Sequence, residues 1–159
     1  MIVANIGFPR TGTTSLKKAL EILGIDNKFV GDHMCIPLDR YKTFDRDNPG
    51  AKFIFTIRKL PEIWYASVER WAEKHTNDML RNQRLNMYGK ETPEFYTYID
   101  AYHRRYFDVL NYFKDNYPGK LKEKLLILCA ENGDGFQKLC PFLGVDMPGV
   151  SYPFLNKNK

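Results

Sequence analysis

Several things are scarce in this chain, and each shortage closes off a class of chemistry. Three cysteines stand among its 159 residues, Cys35, Cys129 and Cys140, far apart and with no Cys-x-x-Cys spacing. They are expected to be reduced, mostly buried thiols. The three histidines, His33, His75 and His103, are equally scattered and do not form a metal motif, so no metal site is expected. No apolar run approaches the roughly 20 residues that cross a bilayer, and no charged leader precedes the first apolar segment. Reduced thiols without anchor or leader give the expectation of a cytoplasmic protein with no membrane partner. Long runs of like charge are also missing. Twenty-four basic against nineteen acidic residues leave a net charge of +5, which suits a polyanionic ligand but not a dedicated nucleic-acid binder.

One further absence sits inside the most informative segment. An apolar run at 2–6 leads into Gly7-Phe8-Pro9-Arg10-Thr11-Gly12-Thr13-Thr14-Ser15-Leu16, and then Leu16, Ala19, Leu20 and Leu23 recur at helical steps before Gly24. This order of strand, glycine loop and helix turns the free backbone N–H groups of the loop and of the first helical turn toward one point. The helix dipole favours negative charge at that point, so it holds a phosphate or a sulfate. Thr13, Thr14 and Ser15 add hydroxyls and Arg10 a planar cation. The glycine spacing is that of a P-loop, yet Thr13 stands where a nucleotide triphosphatase carries the lysine that reaches the terminal phosphates. The loop is thus suited to an anion and poorly suited to ATP–magnesium chemistry.

Length and periodicity give the rest of the plan. A chain of this size is expected to form one domain over 1–159 with a full core. Strand-like and helix-like segments alternate, the pattern of an α/β domain with a parallel sheet. A strand is expected at 28–30, a loop at 31–37 and a polar helix at 38–47, closed by the turn Asn48-Pro49-Gly50. Residues 52–57 read as a buried strand with Arg58 at its carboxyl end, where ligands of open α/β sheets bind. Pro61 opens a helix with Trp64, Val68 and Trp71 on one face. Residues 75–92 are polar and unperiodic and read as a mobile connection. A long helix over 94–116 and a last strand at 125–129 complete the pattern.

With those segments in place, the loop resembles the phosphosulfate loop of the sulfotransferase family, Gly-x-Pro-Arg/Lys-Ser/Thr-Gly-Thr-Thr followed by a helix. Ten consecutive residues fit. The segment 51–58, with Trp64 and Ser67 following, is similar to the family's second signature, in which a strand-end arginine and a helix serine bind a 3′-phosphate. Arg58 and Ser67 stand in those places. The stretch Gly133-Asp134-Gly135-Phe136-Gln137-Lys138-Leu139-Cys140-Pro141-Phe142-Leu143-Gly144, then Pro148, Pro153, Phe154 and Asn156, resembles a subgroup element in which a tryptophan usually takes the place of Phe136. The resemblance implies a three-layer P-loop NTPase-like α/β fold, with a mostly parallel sheet of about four to five strands flanked by helices. It implies 3′-phosphoadenosine 5′-phosphosulfate as sulfuryl donor, without a metal, bound by Pro9, Arg10, Thr11, Gly12, Thr13, Thr14, Ser15, Arg58 and Ser67. It also implies a small-molecule or carbohydrate acceptor, with no nucleic acid and no membrane as partner.

Sulfuryl transfer is an in-line displacement that depends on positioning and on stabilising charge. Arg10 is expected to face the leaving 5′-phosphate, and a general base must take the acceptor's proton. The family places that base in the loop after the second strand, where Asp32 and His33 are adjacent, with His103 next in line. The adenine has no obvious stacking partner, because Ser15 occupies a position that is often aromatic; Trp64 is a substitute. Tyr88, Phe95, Tyr96, Tyr98 and Tyr102 suit a flat acceptor, although such a stripe is more often core. Two other readings stay open at this point. One is a nucleoside or nucleotide kinase-like enzyme, disfavoured by the missing lysine and by the lack of an acidic residue ending strand 52–57. The other is a noncatalytic module for nucleotides or polyanions.

Overall fold

A computed structural model describes residues 1–29 and 39–155 of the chain. Four short strands, β1 Val3–Asn5, β2 Asn27–Phe29, β3 Lys52–Thr56 and β4 Leu125–Leu128, form a sheet in the order β2-β1-β3-β4, and every pairing is parallel. Parallel strands need crossovers, and helices supply them. The crossovers are α1 Thr13–Ile22, α2 Arg40–Asp47, and the run α3 Pro61–Lys74, α4 Asp78–Tyr88, α5 Phe95–Asn116 and α6 Leu121–Lys124; α7 Phe136–Leu143 follows the last strand. The chain is an α/β protein, as its alternating segments indicate.

Alternation along the strands sorts the core onto two faces. Val3, Ile54, Leu126 and Leu128 pack with Leu16 and Leu20 of α1 and with Leu139 and Leu143 of α7. Ala4, Ile6, Phe53, Phe55 and Leu125 pack instead with Tyr41 of α2 and with Val109 and Phe113 of α5. A third cluster, Phe8, Trp64, Val68, Tyr88, Tyr98 and Tyr102, joins the loop after β1 to α3, α4 and α5. β4 and the centre of β3, Phe53 to Phe55, are wholly apolar because both of their faces are covered, whereas the edge strand β2 carries Asn27 and Lys28. Cys129 and Cys140 are free and buried, and burial pushes both thiols up from their ordinary range.

The stretch 75–92, expected as a mobile connection, is corrected by the structure. It contains α4, capped at its start by Asn77, whose Oδ1 accepts the Leu80 N–H at 3.0 Å, and closed by Gly89 at φ 90°. Leu80, Arg84 and Tyr88 lie buried at four-residue steps on the inner face. With an arginine in the middle of that face, the period is hidden from a hydropathy reading. Trp64 is also corrected as a stacking partner for adenine. It is fully buried, and its Nε1–H donates to the Pro9 carbonyl at 3.0 Å. Tyr88, Tyr98 and Tyr102 are core residues, whereas Phe95 and Tyr96 are exposed.

A buried ionic knot ties α2 to α5 and α6. Asp45 accepts hydrogen bonds from Tyr112 at 3.0 Å and Tyr117 at 2.8 Å, and it pairs with Lys124 at 2.9 Å. The Lys124 ammonium also donates to the Pro49 carbonyl at 2.6 Å and lies over the Tyr117 ring. Removing one member of such a pair leaves a buried charge unmatched. Asp45→Ala is expected to destabilise the fold by about 3–5 kcal/mol in denaturant unfolding, and the double change Asp45→Leu with Lys124→Met to recover most of that loss.

Candidate active site

The strand order creates the site. From β1 the chain turns to one side, through α1 to β2, while β3 leads to the other side and β4, so the carboxyl ends of β1 and β3 flank a topological switch point. Ligands of open α/β sheets bind in that crevice. Here it opens into a cavity of about 770 Å3 lined on one side by Pro9 to Ser15 and by Ile57 and Arg58.

The loop after β1 is fixed from below. A Cβ on Gly7 would stand 1.9 Å from the Thr56 Oγ1, so only glycine lets the loop cross the end of β3 this closely. The Thr11 hydroxyl contacts the Phe8 carbonyl at 2.5 Å and the Thr56 hydroxyl at 2.7 Å, which turns it into the loop's own framework. Arg10 has φ 69°, a left-handed conformation that side chains seldom adopt. Gly12 at φ 99° is the N-cap of α1. No side chain caps this helix and no acid lies in its first turn, so its first amides carry the positive end of the dipole to the cavity. Thr13 is buried at that turn and Thr14 exposed. Ser15 is buried, and its Oγ accepts the Leu155 N–H at 2.9 Å, which brings Phe154 and Leu155 over the cavity as a further wall.

The second basic residue is tied directly to the first. Arg58 donates from Nε to the Arg10 carbonyl at 2.7 Å, and Arg10 donates from its own Nε to the Ser67 hydroxyl at 3.2 Å. Ser67 is almost fully buried on α3 and meets Arg10, not the cavity surface formed by the described residues. The Arg58 backbone N–H donates to the Tyr102 hydroxyl at 3.0 Å. Burial pushes that hydroxyl up to about 12, so it stays neutral. On its outer side Arg58 pairs with Glu131 at 2.6 Å, and the second oxygen of that carboxylate accepts the Lys59 N–H at 2.8 Å. Glu131 sits on a single 3-10 turn, Ala130–Asn132, just beyond β4.

Thus Pro9, Arg10, Thr11, Gly12, Thr13, Thr14, Ser15 and Arg58 line one cavity, with Ser67 one hydrogen bond behind it. Asp32 and His33 lie outside the described residues, as do Cys35 and Asn156. His103 is exposed on α5 and is not among the described lining residues, and His75 is engaged with Trp71, its Nδ1 2.7 Å from the Trp71 carbonyl and its ring stacked on the indole. Sequence reasoning missed Glu131 and the far wall of Trp71, Gln83, Arg84 and Met87. For α4 a signal existed, Asn77 before and Gly89 after; for Glu131 there was none, since only the fold sets it opposite Arg58. Among the described residues no group of three or more histidine, cysteine or acidic side chains could hold a metal ion, and no helix is long and apolar enough to cross a membrane.

Among curated proteins no significant match was found. A family model described as a sulfotransferase domain matches residues 2–46 and 29–159, two overlapping segments that together span nearly the whole chain. The glycine loop with its arginine, the second arginine bonded to it across the switch point and this match agree: the chain belongs to the sulfotransferase domain family.

Proposed function

We propose that this chain, as a single P-loop-type domain over 1–159, transfers a sulfuryl group from 3′-phosphoadenosine 5′-phosphosulfate to a hydroxyl or amine acceptor by in-line displacement, without a metal. The observation that carries the reading is the bond from Arg58 Nε to the Arg10 carbonyl, which makes two anion-binding elements a single unit beside one cavity. A nucleotide with phosphates at both its 5′ and 3′ positions needs two such elements. The donor supplies, when bound, an activated sulfuryl group on a stable phosphate leaving group. The protein's share is to hold and neutralise charge. The amides of the first turn of α1, with Thr13 and Thr14, bind the 5′ end. Arg10 meets the charge that grows on the leaving phosphate, and Ser67 and the left-handed backbone at Arg10 fix its direction. Arg58 reads the 3′-phosphate. The acceptor's proton goes to Asp32 or His33, by the family resemblance.

Glu131 has a part in this reading. It occupies donors of Arg58 and Lys59 that a 3′-phosphate would use, so the phosphate replaces one anion with another. Arg58→Ala should weaken 3′-phosphoadenosine 5′-phosphate by about 10- to 150-fold, the worth of a charge-assisted bond, and leave an analogue without the 3′-phosphate almost unchanged. Glu131→Gln should act the opposite way, tightening the bisphosphate about fivefold, because a neutral amide competes less well than a carboxylate for the same guanidinium. Calorimetric titration of both nucleotides into the three proteins checks the pair of outcomes.

Turnover is the test of Arg10. Arg10→Ala should lower the rate of transfer by about 10²- to 10³-fold, with a smaller effect on binding of the desulfated nucleotide, as measured by single-turnover kinetics. Unchanged turnover in a folded variant would remove Arg10 from the mechanism.

Thermal shifts test the reading as a whole. A ligand at a hundredfold excess over its Kd adds about 2.7 kcal/mol to the folded state. The shift is expected to be large with 3′-phosphoadenosine 5′-phosphate, small with ATP, and indifferent to magnesium or a chelator. A larger shift with ATP and magnesium would identify kinase-like chemistry. Shifts that follow ligand charge and vanish in salt would identify a simple polyanion-binding module.

A further inference from the structure

The part of the cavity lined by α4 contains a charge with no ion-pair partner among the described residues. Arg84 on α4 is only 3% exposed, yet its Nε donates to the Glu91 carbonyl at 2.5 Å, its Nη1 to the His75 carbonyl at 3.0 Å, and its guanidinium lies over the Trp71 ring. Among the described residues no carboxylate pairs with it. A guanidinium has five N–H donors, so these two carbonyls leave others over. Lys124, the buried cation at the other end of the fold, shows the usual arrangement, since it has Asp45. A buried charge held only by neutral dipoles is unfavourable, and an anion arriving from the cavity would correct it.

A second observation on the same wall is independent of charge. Gln83, the preceding residue of α4, also lines the cavity; its Oε1 is buried and has no partner among the described residues, and its Nε2 meets only the Met87 sulfur at 3.7 Å. A half-buried amide whose oxygen has no partner and whose N–H meets only a sulfur is free to meet a ligand, and it can turn its N–H to an anion at the loss of that single weak contact. The rest of this wall, Val68, Trp71, Met87 and Tyr88, is apolar or aromatic. Glu131, the one acid among the described lining residues, is bonded to Arg58 and to the Lys59 amide instead.

We infer that Arg84 and Gln83 form an acceptor subsite for an anionic group, so that the sulfuryl acceptor carries a carboxylate or a comparable acid on an apolar or aromatic body in addition to its hydroxyl or amine. The inference rests on the transferase reading for the word acceptor. The division of charge supports it: a phosphosulfate nucleotide engages Arg10 and Arg58 and leaves the third guanidinium of the cavity for the other substrate. Apolar surface around the pair keeps water away and strengthens the attraction.

The test uses the full chain saturated with 3′-phosphoadenosine 5′-phosphate and two matched probes, 4-hydroxyphenylacetate and its neutral amide, 4-hydroxyphenylacetamide, titrated by calorimetry. The acid should bind at least about tenfold more tightly than the amide. Gln83→Leu and Arg84→Lys should each reduce that preference at least about threefold while the affinity for the amide stays the same, because lysine keeps a cation but loses the fork. Arg84→Gln should abolish the preference; since Arg84 also pins the ends of α4, the two milder variants carry the result if this one fails to fold. Equal affinity for the two probes, no binding of the acid, or a preference that survives in both Gln83→Leu and Arg84→Lys overturns the subsite. If the bisphosphate nucleotide itself does not bind, the transferase reading fails, and the same titrations without nucleotide still decide whether α4 reads an acid.

Discussion

Everything at the cavity depends on a single hydrogen bond between loops that leave two neighbouring strands. Arg58 could have been an ordinary cation at the end of β3, and the left-handed Arg10 an ordinary strained residue. The bond from Arg58 Nε to the Arg10 carbonyl removes both possibilities, because it uses the strained backbone as an acceptor and aligns the guanidinium with it. Strain of this kind persists only where the surroundings over-determine it. The surroundings here are Ser67 on the Arg10 side chain, Trp64 on the Pro9 carbonyl, Tyr102 on the Arg58 amide and the Thr11–Thr56 contact beneath. Helix α3 and helix α5 therefore act on the site through their buried hydroxyl and indole groups, without reaching the cavity surface themselves except at Val68 and Trp71.

Part of the aromatic content of the chain has its explanation in the same region. Phe8 stacks on Trp64 with ring centres 5.6 Å apart, and Trp64 meets Tyr102 at 4.9 Å, while Tyr88 and Tyr98 close the group. Aromatic groups bury much area with few rotatable bonds, so they suit a place where a loop must be held still against three helices. Phe8 belongs to the loop itself. The cluster is thus the mechanical base of the glycine loop, which is why Tyr88, Tyr98 and Tyr102 are packed inward while Phe95 and Tyr96 stay exposed.

How much of this was legible in the sequence depended on the range of the interaction concerned. The glycine loop, the strand ending at Arg58 and the helix opened by Pro61 are written in local spacing and chain punctuation, and the parallel α/β plan follows from their alternation. Gly144 at φ 72° closes α7 by the same kind of local punctuation. Helix α4 was not, because its inner face carries Arg84 between Leu80 and Tyr88, and a buried arginine reads as surface until its carbonyl partners at His75 and Glu91 are known. Glu131 was invisible for a different reason: its meaning comes from Arg58, 73 positions away, and no local pattern encodes a pair of that separation. The adenine-side role suggested for Trp64 failed on burial, since indoles are equally at home in a core and in a pocket.

The contact between the Leu155 amide and the Ser15 hydroxyl carries a consequence beyond the shape of the cavity. Ser15 stands in the first turn of α1, beside the helix amides that face the cavity, and its hydroxyl oxygen anchors the segment 151–155 through the Leu155 amide. Any ligand that draws on the Ser15 hydroxyl changes how firmly that segment is moored, and by reciprocity anything that moors or frees the segment changes the ligand's hold by the same free energy. The far end of the described chain is in this sense a gauge of the loop near its beginning, readable by proteolysis or by a reporter group placed at the tail, with no need to follow the chemistry at all.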